Sequence, residues 1–305
     1  MIENTDILQA FDWRELSSGS RYASWRSRKL KLAEQALGLA PVEIENIANP
    51  SESERREIIL RCRMNNYAHY AAPADSRDPE RTRYDLRAFA AAFGLKIAEA
   101  HRSAEEAGIV ALRVSADPCR RGYIPYSTRP MNWHTDGYYN APEDRIDGFV
   151  LHCVEQALAG GRNQLLDPEI AYIRLRDENP AYVEALMHPQ AMSIPANEEP
   201  DGTIRPVSTG PVFYPAANGR LQMRYTARTR SIEWRDDPLT REAAEFLRLH
   251  LQQGDPLALS VRLEPGQGIL NNNILHNRTG FEDGQDAHNV RVVYRVRFRN
   301  RVEGS

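Results

Sequence analysis

From Ile109 onward the chain is written as a succession of short β-like runs, IVALRVS, GFVLHCVEQ, NQLLD, LQMRYTA, LALSVRL, GQGILNNN and NVRVVYRVRFRN, parted by turns rich in Gly, Pro, Asn and Asp. Runs of this length and punctuation restrict a chain to a sandwich or a barrel. Two helical stretches interrupt them, Pro168 to Met187 and Asp237 to Gln252, the first with an internal break at Asn179-Pro180. A double-sheet jelly roll suits this pattern and surrounds a small ligand cavity with strand residues. The first hundred residues have a different texture and read as mostly helical. Tyr22 to Leu37 shows helical spacing and stops at Gly38. Ser51 and Glu54 form an S-x-x-E capping box ahead of a helix to about Met64, and a third helix near Tyr84 to Phe93 closes at Gly94. The expectation is one α+β domain over residues 1–305: a helical part (1–100) and inserted helices packed outside a mainly β, jelly-roll core (101–305). The basic run of the first helix reads as a solvated face.

Composition removes several function classes. The balance of 39 basic against 42 acidic side chains argues against a nucleic acid or a membrane surface as the main partner. No apolar run approaches the roughly 18 residues that span a bilayer. The acidic N-terminus, MIENTDILQAFDWREL, lacks the basic and apolar regions of a signal peptide, so a cytoplasmic protein is expected. Cys62, Cys119 and Cys153 are few, odd in number and far apart, which fits reduced thiols rather than disulfides or structural zinc. The lysines are Lys29, Lys31 and Lys96, so a Schiff-base mechanism or a P-loop beyond His101 is excluded.

The chemistry-bearing stretch is NWHTDGYYN, residues 132–140. On an extended strand residues i and i+2 share a face, so His134 and Asp136 project together. Two His and one carboxylate on one side of a metal, with the opposite positions open, suit non-haem Fe(II). A second His is then required, and H-x-D alone also fits a surface pair. His69, His101 and His250 fall in helical stretches, His188 precedes Pro189 at a helix exit, and His152 in FVLHC reads as a hydrogen-bonded core residue. His276 differs, because LEPGQGILNNNILHNRTGF is a turn, a strand and a polar loop that can return an imidazole to a barrel mouth.

Taken together, NWHTDGYYN, FVLHCVEQALAGGRNQLLD, LEPGQGILNNNILHNRTGF and RVVYRVRF resemble the TauD/TfdA superfamily of Fe(II)- and 2-oxoglutarate-dependent dioxygenases, over roughly Leu86 to Asn300. LHC followed by GG is similar to the γ-butyrobetaine hydroxylase branch. The resemblance implies a double-stranded β-helix, cupin-like, with helices outside. It also implies His134, Asp136 and His276 as iron ligands, and O2 and 2-oxoglutarate as co-substrates, the latter held by an Arg after the last His. Asp136 stands where related halogenases carry a small residue, which favours hydroxylation, or hydroxylation followed by cleavage. Where many relatives have Thr or Ser after the GG pair this chain has Asn163, whose amide can donate to the 2-oxoglutarate carboxylate; a surface-turn role is the alternative. Pro130 replaces the substrate-touching Asn of taurine-type members, which disfavours taurine, and the Cys spacing of the zinc-bearing N-terminal domain in the butyrobetaine branch is missing. Tyr123, Tyr126, Tyr138 and Tyr139 could cage a quaternary ammonium group or simply pack.

In NVRVVYRVRFRN the two-residue period places Val292, Tyr294, Val296 and Phe298 on one face beneath helices, and Arg291, Val293, Arg295 and Arg297 on the other. A row of inward Arg is costly unless anions meet it. Arg291 and Arg295 lie roughly 13 Å apart along a strand, so one carboxylate does not easily engage both. Arg291 stands fifteen residues after His276 and matches the first Arg of the family's R-x-x-x-R strand. By resemblance it takes the distal carboxylate of 2-oxoglutarate and Arg295 faces substrate; pairing of Arg295 and Arg297 with acidic neighbours at the rim is the plainer alternative. The partner expected is a small molecule, anionic or zwitterionic, and a homo-oligomer is compatible with the sequence. A second reading stays open: a jelly-roll protein that binds metal and ligand without turnover, as a sensor or store.

Overall fold

A computed structural model of the chain describes residues 11–74, 78–98, 108–117, 123–198, 202–285 and 289–305. Its larger sheet has six strands in the order Val42–Glu43, Tyr67–Ala71, Gln267–Asn271, Gly148–Glu155, Val292–Phe298, Ile109–Leu112. The smaller has four: Leu259–Val261, Asn163–Leu166, Leu275–Arg278, Met131–His134. All pairings in these two sheets are antiparallel except Val42–Glu43 with Tyr67–Ala71. Phe149, Leu151, Ile269 and Val293 of the first sheet bury against Leu165 of the second and Ile274, just before its Leu275–Arg278 strand, which makes the interior of a jelly roll. The opposite face of the larger sheet is closed by α2 (Glu52–Asn65) and α3 (Pro79–Ala92), following α1 (Gly19–Leu37). α4 (Pro168–Glu178), α5 (Pro180–Met187) and α6 (Pro238–Gln253) share a core with Leu166 and Leu275 of the smaller sheet.

The alternation expected of NVRVVYRVRFRN holds. Tyr294, Val296 and Phe298 pack with Ile58, Leu86 and Phe89 of α2 and α3, while Val293 faces the interior. Capping chemistry sets the helix ends: Ser51 and Glu54 complete the capping box of α2, and Asp78, Asp167, Asn179 and Asp237 each cap a helix that opens with Pro. α3 therefore begins at Pro79, ahead of the expected Tyr84, and Gly94 takes φ +63° just beyond it.

Two readings of the N-terminal part need correction. Tyr67–Ala71 and Val42–Glu43 are strands of the central sheet, so the first hundred residues are not simply helical, and His69 sits on a strand. Tyr70 from this strand lies across Gly268, where a Cβ would overlap its ring and come within 2.6 Å of the Leu151 carbonyl oxygen. The Tyr70 hydroxyl meets His152 Nδ1 at 3.1 Å, so His152 is the hydrogen-bonded core residue expected, and burial pushes its pKa down to about 4. Cys62 and Cys153 are buried free thiols, as expected, and Cys119, His101 and His288 lie outside the described residues.

The basic run of α1 is not wholly a solvated face. Lys29 is buried, with Nζ 2.5 Å from both Asp167 Oδ2 and Glu169 Oε2 and 2.6 Å from the Met64 carbonyl oxygen. Asp167 and Glu169 begin α4, directly after the Asn163–Leu166 strand, so one ammonium ties α1 and α2 to the smaller sheet. Removing one member of a buried ion cluster strands the others, at a cost of about 3 to 5 kcal/mol. Lys29→Ala should lower the urea unfolding midpoint by that equivalent; a change under about 1 kcal/mol would show that the carboxylates are hydrated instead.

Candidate active site

The site is set by strand register. Met131–His134 and Leu275–Arg278 are antiparallel neighbours, and His134 is the cross-strand partner of His276, with ring centroids 4.1 Å apart. Each ring is oriented by its own strand: His134 Nδ1 donates to the Asn132 carbonyl at 2.8 Å and His276 Nδ1 to the Ile274 carbonyl at 3.1 Å. A carbonyl only accepts, so each Nδ1 carries the proton and each Nε2 is left with a lone pair. Burial, then the neighbouring His276, pushes His134 down to about 3, and burial lowers His276 as well, so both rings are neutral at ordinary pH.

Asp136 does not lie on the strand, as the i, i+2 argument supposed; it opens the turn just beyond His134. Its backbone is locked by Asn273, whose Oδ1 accepts from Asp136 N at 2.7 Å and whose Nδ2 donates to Asp136 O at 3.0 Å. Gly137 makes the turn at φ +66°, where a Cβ would strike Ile146 Cγ1 at 2.6 Å. The result still brings Asp136 to the His pair. Donor atoms of His134, Asp136 and His276 all lie within 4.8 Å of one another, with Asp136 Oδ1 3.8 Å from His134 Nε2. His276 itself is on a strand rather than in a loop.

Arg295 and Arg297 reach the same carboxylate. Arg297 Nε donates to Oδ2 at 2.8 Å, and Arg297 Nη2 and Arg295 Nη1 each approach Oδ1 at 3.3 Å. All three side chains are buried, so this is an interior ion cluster and not a pairing at the rim. Burial alone would raise the Asp136 pKa, but the Arg295 and Arg297 charges outweigh it and hold the carboxyl well below its usual range.

Arg291 occupies a separate recess. Its side chain is 5% exposed, and among the described residues its Nη1 has no hydrogen-bond partner. Phe281 is near both it and Arg278, with guanidinium-to-ring distances of 5.2 Å for Arg291 and 4.7 Å for Arg278. Gly161, at φ +70°, leaves space beside Arg291 that a Cβ would narrow to 3.6 Å from Cδ. Asn163 is buried on the strand paired with Arg278, which removes the surface-turn alternative. Arg278 went unnoticed in the sequence, though it stands two residues after His276 and therefore shares its strand face. Its Nη2 donates to the Ser127 carbonyl at 2.9 Å and to that of Arg129, and burial, then Arg291, pushes its pKa down to about 9.

Of the four tyrosines, Tyr138 and Tyr139 are at the site. Tyr138 meets the His134 ring edge-on at 6.3 Å, and the Tyr139 hydroxyl accepts from Arg297 Nη1 at 3.0 Å. The cations near their rings are the protein's own: Arg228 is 6.0 Å from Tyr138, and Arg205 is 5.8 Å from Tyr139. Tyr126 is buried, whereas Tyr123 is exposed.

This donor set fits a non-haem iron centre, having two neutral imidazoles and one carboxylate on one side, with a buried unpaired guanidinium donor available for an anion nearby. Residues 77–296 match the family described as taurine catabolism dioxygenase TauD, TfdA, and the chain belongs to that family. A uridine-5'-phosphate dioxygenase of Amycolatopsis sp is 35% identical over 180 residues, covering 55% of this chain and 62% of that protein, so the chain spans less than two thirds of this relative. Among solved structures, the non-heme iron oxygenase OrfP with Fe, succinate and (3S)-hydroxy-L-Arg superposes with a TM-score of 0.62 at 17% identity, covering 89% of this chain and 91% of that one. Asparagine oxygenase with Fe(II), 2S,3S-3-hydroxyasparagine and succinate gives 0.59 at 16% identity, with 88% of each chain covered. At such identities the likeness establishes the shared double-stranded β-helix.

The charge arrangement separates two substitutions that would otherwise look alike. Asp136→Ala strands two buried guanidiniums, a loss of about 3 to 5 kcal/mol, whereas His134→Ala removes a neutral ring and leaves the ion cluster intact. In metal-free protein the first should unfold at clearly lower denaturant than the second. Equal midpoints would mean that water or salt anions neutralise Arg295 and Arg297.

Proposed function

We propose that this protein is a non-haem Fe(II)- and 2-oxoglutarate-dependent dioxygenase that hydroxylates, or hydroxylates and cleaves, a small anionic molecule. The observation that carries the reading is the meeting of His134, Asp136 and His276 within 4.8 Å, with both imidazole Nδ1 atoms already engaged. In this reading the three residues hold the iron through His Nε2 atoms and one carboxylate oxygen. When bound, iron and 2-oxoglutarate supply the oxidising chemistry, with succinate and CO2 formed from the co-substrate and O2 as oxidant. The chain's residues bind, orient and exclude water.

The distal carboxylate of 2-oxoglutarate belongs to Arg291, whose fork ends in a buried donor without a partner among the described residues, and Asn163 and Arg278 line the same recess. Arg295 suits this task less well, because it is already shared with Asp136. Its own Nε is buried and without a partner among the described residues, which leaves a donor available to substrate. Arg295 and Arg297 already share Asp136, whereas Arg278 and Arg291, both buried, have among the described residues only the half-buried Asp283 carboxylate near them, so a bound anion completes the balance in their recess. Arg205 and Arg228 beside Tyr139 and Tyr138 extend the positive lining. A phosphorylated nucleoside, the substrate named for the Amycolatopsis relative, has the charge this lining asks for. A quaternary ammonium substrate is disfavoured by the same cations.

Anaerobic addition of Fe(II) and 2-oxoglutarate should give a weak visible charge-transfer band, and oxygen with a cognate anionic substrate should release succinate in step with oxidised product. The band without succinate from any candidate substrate would instead support the sensor or store. Arg291→Lys keeps the charge but loses the fork. It should weaken 2-oxoglutarate binding about tenfold or more, the equivalent of one charge-assisted hydrogen bond. If Arg295→Lys raised the 2-oxoglutarate KM and Arg291→Lys left it unchanged, the two roles would be reversed.

A further inference from the structure

The two oxygens of Asp136 are not equivalent, and the difference is made by one residue outside the proposed ligand set. Oδ2 receives a short bond, 2.8 Å, from Arg297 Nε. Oδ1 has two longer contacts, 3.3 Å each, from Arg297 Nη2 and Arg295 Nη1, so the Arg297 fork grips Oδ2 closely and Oδ1 loosely, and Oδ1 is the oxygen that faces His134 Nε2 at 3.8 Å. Arg297 is itself fixed: its Nη1 donates to the Tyr139 hydroxyl at 3.0 Å, and its guanidinium is buried between the turn that carries Asp136 and the strand that carries Arg295. The fork therefore spans the carboxylate on one side and a phenol on the other.

Resting on the dioxygenase reading above, we propose that Arg297 is a positioning residue that restricts Asp136 to ligation through Oδ1 alone. Holding Oδ2 keeps the carboxylate from chelating the iron with both oxygens. The consequence is a count of positions. Three protein donors leave three of six positions, two for a bidentate 2-oxo acid and one for O2; a chelating carboxylate takes one of these away. Arg297 thus protects co-substrate binding without touching the co-substrate. Partners of this kind alter metal affinity or activity by about 10- to 100-fold when removed.

The test uses the full chain under anaerobic conditions, titrating Fe(II) and then 2-oxoglutarate, and following the charge-transfer band. Arg297→Lys keeps the positive charge but cannot grip Oδ2 and Tyr139 together. It should bind Fe(II) at least as tightly as the parent, yet bind 2-oxoglutarate about tenfold or more weakly, with a displaced band. A merely structural role would weaken both ligands together or leave the band energy unchanged. Tyr139→Phe frees one end of the fork and should give the same split at smaller amplitude. It decides the matter if the lysine variant does not fold, since Tyr139 is only half-buried. Parental 2-oxoglutarate affinity and an unshifted band in the folded variants would overturn the proposal. Failure of the parent protein itself to give the band would instead overturn the dioxygenase reading.

Discussion

The structure depends most on the pairing of two short strands, Met131–His134 and Leu275–Arg278. Their register puts His134 opposite His276, and since side chains alternate along a strand, a slip of one residue would turn one imidazole to the other face. That face is not empty: Trp133 and Leu275 occupy it, in the core shared with α4 to α6. The hydrophobic pattern that fixes the fold thus also fixes which residues meet in the cavity. Asn273 extends the same control to Asp136 by closing both of that residue's backbone hydrogen bonds.

Around this pair the electrostatics are arranged in opposition. Burial strips the imidazoles of charge, which suits a metal donor, while two guanidiniums keep Asp136 ionised against the same burial. The inward arginines at 291, 295 and 297, equally buried, then divide by partner. Arg297 is satisfied from within the chain and Arg295 only in part, whereas among the described residues Arg291 retains an unused donor in a recess walled by Phe281 and Gly161. The two guanidiniums of that recess, Arg278 and Arg291, have lowered pKa values. Such a recess is one an anion would stabilise.

Much of this was legible in the sequence because it is periodic or local. The alternation in NVRVVYRVRFRN, the capping box at Ser51 and the break at Asn179-Pro180 each express a rule that operates within a few residues. What escaped depends on partners far along the chain. Tyr67–Ala71 is short, alanine-containing and follows α2 through the left-handed Asn66, and it becomes a strand because Gln267–Asn271 pairs with it. Lys29 looks like one of several surface cations until Asp167 and Glu169 are brought to it. Asn273 reads as the end of the β-like run GQGILNNN, and nothing local says that its amide holds a carboxylate-bearing backbone. Arg278 could have been found, since its spacing from His276 is the one that linked His134 to Asp136.

The contact of Tyr70 with Gly268 bears on which substitutions such a sheet can accept. The phenol fills the place where a side chain at 268 would stand, and its hydroxyl is received by His152, the cross-strand partner of Gly268. Positions 70, 152 and 268 therefore form one packing unit spread over three strands. A methyl group at 268 is incompatible with the phenol at 70, and a smaller residue at 70 leaves both a gap and an imidazole without its bond. Because the Leu151 carbonyl oxygen would also lie within 2.6 Å of a Cβ at 268, shrinking the residue at 70 would not by itself admit a side chain there.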